Sequence, residues 1–464
     1  KWAWFAFALM LVGALMANVA VLQGESSVMF TSYVPMKAAP HFYLGLIVFA
    51  VGALIACFVF FGTLVIARQE RTYEGSIPLV TFGAVTAAVI AVYTIASGAI
   101  ILIPTFLWSV GIIPHLDSIM YKVVWWGMGH SSQQINVSAH VAVWYAIAAM
   151  VLGAKPLSEK VSRTAFLLYI AFLQLASAHH LLVDPGISSS WKVFNTSYAI
   201  YLAVLGSMIH GMSVPGAIEA AQRRRGLTQG AFDWLRRAPW GNPAFSGMIM
   251  SVIMFGFLGG ISGVVLGTEQ LNLIMHNTLY VPGHFHGTVV AGTTLAFMAI
   301  TYLVVPLIFR KEIMFPGLAR WQPYLFGLGA MGISFFMMGA GTLGVSRRHW
   351  DMTFADAVLK FEYPPAAFLM MGLNGISALI ATLGGVAFIV VVVGSVFFGK
   401  PRDEAAIKRN PVIGPSGGAA VSQYGGEATF NLPGTTILVS VFFVSFVLYY
   451  FINWKYLSEV WPLR

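Results

Sequence analysis

Val281-Pro-Gly-His284-Phe-His286-Gly287 opens an apolar run that continues to about Phe309. Two histidines two apart on a helix point about 200° from one another, because each residue turns an α-helix by roughly 100°. One such helix can therefore carry a different metal group on each of its two sides. Histidine inside a membrane span is rare and is a candidate functional residue. A lone one can equally be a hydrogen-bonded packing residue. Two further intramembrane clusters, His130 and His179-His180, weigh against that bland reading here.

Of the 464 residues, 58% are hydrophobic and 9% charged. Such a chain is too apolar for a soluble domain and long enough for many membrane crossings. At about 20 apolar residues per crossing, roughly eleven spans are expected. They fall at 2–22, 42–66, 79–107, 123–152, 164–182, 191–221, 244–266, 277–309, 324–343, 366–398 and 435–452. The expected fold class is an all-α polytopic transmembrane helical bundle, forming a single catalytic domain over 1–464. The stretch 399–434, with Gly-Pro-Ser-Gly-Gly at 414–418, reads as a flexible cytoplasmic connector before the last span. The first run is longer than a signal-peptide core and the chain starts without methionine, which favours a true span in a sequence lacking its beginning.

The net charge of +9 raises nucleic-acid binding as an option, but the basic residues lie in short loops between apolar runs. Seventeen of the 26 fall in loops of one parity, among them Arg68, Lys155, Arg223, Arg310 and Lys400. They are expected to set topology with those loops in the cytoplasm, and no nucleic acid is expected as a partner. The single cysteine, Cys57, excludes an intrachain disulfide and a cysteine-paired copper centre. If electrons enter, another subunit or a diffusible donor brings them.

That topology gathers the histidines. His130 and His284 each lie seven residues into spans that enter from outside, roughly 10 Å below their expected helix starts. His179 and His180 fall near the outer end of a span running outward. Three imidazoles from two helices, plus one facing them from a third, suit a buried metal beside a haem, since neutral imidazole is a common donor to copper, iron and zinc. His140 and His210 have no second histidine one turn away and read as structural. Arg347 and Arg348 follow a span ending on the outer side, where a guanidinium pair can clamp haem propionates. His276 and Asn277 lie at the same level and can assist.

Trp126-Gly-Met-Gly-His130, His179-His180, Asp184-Pro-Gly, Trp191-Lys192, Pro239-Trp-Gly-Asn-Pro243 and His276-Asn-Thr-Leu-Tyr-Val-Pro-Gly-His-Phe-His286 form an ordered set. The set resembles the catalytic subunit of the haem-copper oxidase superfamily, in its B-type branch. The resemblance implies that His130, His179 and His180 bind the non-haem metal, His284 the high-spin haem iron and His286 the low-spin haem iron. Arg347 and Arg348 match the family's propionate arginines, and Trp126, His276 and Asn277 join the cofactor-binding residues. Two b-type haems and one non-haem metal are thus expected. With three imidazoles and no carboxylate, copper is favoured over iron.

Two departures from the family stand out. The second low-spin haem ligand belongs on a helix before the first span seen here, so two N-terminal helices are expected in a missing segment or on a separate chain. More consequential is Gln134. B-type oxidases carry a tyrosine four residues after the first metal-binding histidine, cross-linked to it and able to supply an electron and a proton to dioxygen. Nitric oxide reductases of the superfamily lack that tyrosine and place a glutamate at this spacing. An amide can be neither oxidised to a radical nor deprotonated here, but it can offer a carbonyl oxygen or an NH₂ group. The expected activity is therefore reduction of two nitric oxide molecules to nitrous oxide and water, with a B-type terminal oxidase as the alternative. The expected catalytic residues are Gln134, His130, His179, His180 and His284. The expected setting is a prokaryotic cytoplasmic membrane, with lipid around the bundle and the active site toward the outer side. Electrons are expected from a partner subunit of copper-centre or cytochrome c type, or from quinol. Ser138, Tyr145, Thr196, Ser197, Tyr198 and Tyr201 lie on two spans that can border an inner proton route, although such hydroxyls often serve only packing. A metal transporter is disfavoured, because its coordinating groups would be spread across the membrane depth.

Overall fold

In the computed structural model, residues 1–28, 31–173, 175–348, 358, 362–402 and 431–460 are described. The expected connector at 399–434 lies for the most part outside the described residues. The elements are helical throughout: α1 (Trp2–Leu22), α2 (Pro40–Gln69), α3 (Leu79–Ser109), α4 (Ser118–Leu152) and α5 (Glu159–Leu168) open the chain. There follow α6 (Ser189–Phe194), α7 (Ile200–Arg224), α8 (Asp233–Arg236), α9 (Pro243–Met254), α10 (Ile261–Leu266) and α11 (Glu269–Met275). The last are α12 (Tyr280–Phe285), α13 (Leu295–Ile308), α14 (Pro316–Thr342), α15 (Pro365–Phe398) and α16 (Pro433–Val460).

Several spans are α-helices interrupted by a wider π turn. Asn195–Ala199 joins α6 to α7, Phe255–Gly260 joins α9 to α10, and His286–Thr294 joins α12 to α13. π turns of this kind are often found at functional sites. The one that begins at His286 follows directly on the paired-histidine motif.

Ten helical stretches among the described residues are long and apolar enough to cross a membrane. The eleventh expected span, 164–182, is not one continuous helix. After α5 the chain makes a π turn at Tyr169–Leu173 and then a 3₁₀ turn at Ala178–Leu181. That broken geometry lets His179 and His180, adjacent in sequence, both approach His130.

The chain divides into two compact units. One comprises Lys1–Ala139 with Phe166–Ala203, the other His140–Ala165 with Val204–Arg464. The core of the first is built around Ile101, Leu102, Trp108, Tyr121, Trp125 and Trp126. In the second, Met250, Met254, Ala291, Leu295, Phe326 and Ala330 form one tight cluster. Outward faces are apolar as well: Leu379, Leu383 and Val386 on α15 are more than half exposed. In lipid such a face carries no penalty, and helix association rests on close packing and interhelical hydrogen bonds.

Helix starts differ from the expected ones where a cap intervenes. Asp117 accepts from Met120 N at 2.6 Å and begins α4 at Ser118, five residues before the apolar run. His130 therefore lies twelve residues past the helix start, roughly 18 Å along it rather than 10 Å. His284 lies only four past Tyr280. Distance from a helix start consequently does not give the common depth that the apolar runs imply. α14 likewise begins at Pro316 rather than 324, since proline is well placed in a first turn, where its missing N–H has no intrahelical partner anyway.

Candidate metal centre

His130 on α4 and His179 and His180 on the 3₁₀ turn converge as the sequence implies, within the first compact unit. One nitrogen from each lies within 4.8 Å of the others. His130 Nδ1 is 3.2 Å from His180 Nε2. Two nitrogens bound to one ion at about 2.0 Å in tetrahedral geometry are about 3.3 Å apart, so this spacing fits two ligands of a single cation. The His130 and His179 rings meet edge to face at 4.5 Å, and those of His179 and His180 at 4.1 Å. No carboxylate belongs to the cluster among the described residues. An all-imidazole donor set suits copper, zinc or iron.

Gln134 lies one turn further along α4, 8% exposed, with its amide nitrogen 3.0 Å from His130 Nε2. The side chain is thus engaged by the imidazole itself, on the nitrogen remote from His180.

The remaining contacts of the cluster hold its rings in place. Trp126 lies flat on His180, with centroids 3.7 Å apart and planes 4° from parallel. Its indole N–H donates to Tyr33 Oη at 2.7 Å. Asn195, fully buried, ties down the histidine turn: Oδ1 accepts from Ala178 N at 2.9 Å, and Nδ2 donates to Leu175 O at 2.9 Å. Lys122 and Asp184 form an ion pair in the same unit. Tyr33 and Asn195 escaped the sequence reading. Asn195 carried a signal, a strongly polar side chain in an apolar run, whereas Tyr33 lies in a loop with nothing to mark it.

In the second unit, His284 and His286 differ in how they are held. His284 Nδ1 is 2.9 Å from Ser262 Oγ, whose own hydrogen is directed at Leu258 O. The ring therefore donates from Nδ1 and keeps its Nε2 lone pair. Gly263 passes under that ring, where a Cβ would meet His284 Cε1 at 3.0 Å. His286 donates from Nδ1 to Pro282 O at 2.7 Å, again leaving Nε2 as the donor atom. Gly283, just before His284, is required where α12 meets α14, since a Cβ there would lie 2.7 Å from Met338 N. Ser334 on α14 also donates to Gly283 O at 2.7 Å. Neutral imidazoles braced in this way have the donor chemistry that haem iron commonly takes from histidine.

Arg347 and Asn277 meet through the backbone: Arg347 N donates to Asn277 O at 2.8 Å, and Thr278 pairs with Ser346. Both Asn277 and Arg348 adopt left-handed φ values, 60° and 67°. His276, half-buried, ends α11 just before this bridge. The expected propionate residues are therefore brought together at one end of α12.

His140 and His210 belong to buried polar clusters of the second unit. His140 Nδ1 is 2.9 Å from Thr293 Oγ1 in the π turn after His286. Beside it Trp144 donates to Ser251 Oγ, which donates to Gly292 O in the same turn. His210 Nδ1 is 3.0 Å from Tyr145 Oη, which is also 3.0 Å from Ser162 Oγ; Ser162 in turn is 3.3 Å from Ser213. All four of these residues are buried. Among the expected route hydroxyls only Ser138 and Tyr145 are buried. Tyr198 and Tyr201 are 62% and 47% exposed, and Thr196 Oγ1 bonds back to Lys192 O. That side of the expected route faces outward, because the π turn at Asn195–Ala199 rotates Asn195 inward instead.

A many-span helical bundle carrying three convergent imidazoles in one unit, and two separately braced imidazoles on a single helix of the other, defines a membrane protein built to hold redox metals. Comparison with known proteins specifies the class. The family model described as "Cytochrome C and Quinol oxidase polypeptide I" matches residues 1–383. Cytochrome c oxidase subunit 1 of Thermus thermophilus is 31% identical over 392 residues, 82% of this chain and 67% of that protein. The corresponding polypeptide of Halobacterium salinarum is 25% identical over 248 residues, 50% of this chain and 36% of its own length. A cryo-EM structure of a haem-copper terminal oxidase dimer superposes with a TM-score of 0.81 at 25% identity, covering 97% of this chain and 77% of that one. The chain belongs to the haem-copper oxidase subunit I family. It is an integral membrane oxidoreductase subunit, of a family that binds haems and a copper or other metal in a binuclear centre.

Proposed function

We propose that this chain is the catalytic subunit of a B-type-derived nitric oxide reductase of a prokaryotic cytoplasmic membrane. The reaction is 2 NO + 2 e⁻ + 2 H⁺ → N₂O + H₂O. One observation carries the reading: the side chain one turn from His130 is the amide of Gln134, 3.0 Å from the ring, where the oxidase branch has an oxidisable phenol. Splitting dioxygen without accumulating partly reduced species draws on that phenol, whereas the two-electron reduction of nitric oxide does not.

His130, His179 and His180 would hold the non-haem metal, with copper favoured over iron by the all-imidazole donor set. His284 would hold the high-spin haem and His286 the low-spin haem; the haems are b-type. When bound, these groups supply the two electrons and Lewis-acid stabilisation of developing negative charge. Trp126 keeps His180 oriented, and Arg347, Arg348, His276 and Asn277 serve the propionates. The buried Tyr145, Ser162, Ser213 and His210 cluster is the part of the inner proton route that this chain supports. Electrons arrive from a copper-centre or cytochrome c-type subunit or from quinol.

The second reading, a terminal oxidase, is favoured by the names of the relatives. Parallel measurement of nitric oxide and dioxygen consumption by the purified complex separates the two. Turnover of nitric oxide with slow dioxygen use is expected; brisk oxygen respiration with nitric oxide untouched overturns the proposal.

A further inference from the structure

We propose that Gln134 is a positioning residue for the metal: its side-chain amide holds His130 as the Nε2–H tautomer and commits the Nδ1 lone pair to the cation. The inference rests on the three imidazoles holding a metal, and not on which gas is reduced.

A neutral imidazole has one N–H and one bare nitrogen, and only the bare one can bind a metal. On His130 the two nitrogens have different neighbours. Nδ1 lies 3.2 Å from His180 Nε2, at the ligand-to-ligand spacing of one cation, while Nε2 lies 3.0 Å from the Gln134 amide. Both side chains are buried, at 6% and 8% exposure, so water does not compete freely for that nitrogen. The four-residue spacing on α4 puts the amide on the same face as the ring. A half-turn of the amide exchanges its oxygen and nitrogen without moving another atom, and the hydrogen-bond network decides between them. With Nδ1 on the metal, Nε2–H donates to Gln134 Oε1. The opposite arrangement would put the N–H on Nδ1, directed at His180, and remove His130 from the centre.

The amide occupies the sequence position at which the oxidase resemblance places a cross-linked phenol. A reversible hydrogen bond orients the ligand in place of a covalent bond, and the neutral acceptor leaves the imidazole neutral. Partners of this kind typically change metal affinity by about 10–100-fold when removed. Gln134→Leu keeps the bulk and removes the acceptor, while Gln134→Glu keeps an acceptor at the same reach.

The test uses the purified holo-complex, with haem per protein as the check on folding and non-haem copper or iron per haem as the readout during dialysis against a chelator. Gln134→Leu is expected to lose the metal about ten times faster or more, and Gln134→Glu to retain it. Wild-type retention in Gln134→Leu, or equal loss in both variants, overturns the proposal. Should either variant fail to assemble its haems, the unsubstituted complex still decides. With histidine labelled by ¹⁵N at Nδ1 only, the oxidised metal centre is expected to show a directly bonded ¹⁵N coupling, and its absence overturns the assignment. A complex that meets these expectations yet leaves nitric oxide unreduced sinks the substrate reading alone.

Discussion

The indole of Trp126 lies parallel to the imidazole of His180 at 3.7 Å, and its N–H is fastened to Tyr33 Oη. A stacked aromatic neighbour restricts ring rotation without using either imidazole nitrogen. The stack thus orients His180 through its ring face, while its Nε2 lies 3.2 Å from His130 Nδ1.

Removing that stack should loosen one ligand. Aromatic pairs contribute about 0.5–1.5 kcal/mol beyond their buried area, so Trp126→Leu is expected to weaken metal retention roughly 2–10-fold. Trp126→Phe should lose less, and Tyr33→Phe should fall between wild type and Trp126→Leu. Metal per haem after graded chelation measures the order.

Asn195 spans the turn that carries His179 and His180 with two bonds from a fully buried side chain. Asn195→Ala leaves Ala178 N–H and Leu175 C=O without that partner, at a cost of about 1–3 kcal/mol per unsatisfied group. The expected outcome is loss of the non-haem metal with the haem content retained. Optical haem content alongside metal analysis checks it.

Glu219 is fully buried and accepts from Arg223 Nε at 2.8 Å, Gly434 N at 3.1 Å and Thr435 N at 2.6 Å. The carboxylate therefore caps the first turn of α16, where helix amides lack intrahelical acceptors. Charged hydrogen bonds contribute about 1.5–3 kcal/mol each. Glu219→Ala should free the start of α16, seen as faster proteolysis near Pro433, while the metal and haem content hold.

Tyr145 is bonded to both His210 and Ser162, so one hydroxyl links two helices and α4. If this cluster carries protons, Tyr145→Phe should lower turnover about tenfold or more, within the range for a lost proton-transfer group, with cofactor content unchanged. His210→Phe should act in the same direction. Turnover measured together with proton uptake in proteoliposomes distinguishes this from simple loss of packing, which would leave the proton-coupled rate intact.

Which parts of the site were legible follows from the range of each interaction. The histidine clusters could be read because an imidazole in an apolar run is costly unless it serves something. The span 164–182 was misjudged as one helix because hydropathy measures composition, and the turns at Tyr169–Leu173 and Ala178–Leu181 are set by partners such as Asn195, distant in sequence. The outward direction of Tyr198 and Tyr201 was equally hidden, since a π turn shifts helical phase without changing hydrophobicity.

By itself the sequence determined that this is a many-span membrane protein, which histidines lie in its apolar runs, and that an amide stands one turn from the first of them. Those facts depend on residue identity and helical spacing alone. Only the tertiary structure decided which group meets a ring nitrogen of each motif histidine, because that group is brought up by packing and not by composition. For His130 that group is Gln134, for His284 it is Ser262, and for His286 it is the carbonyl of Pro282.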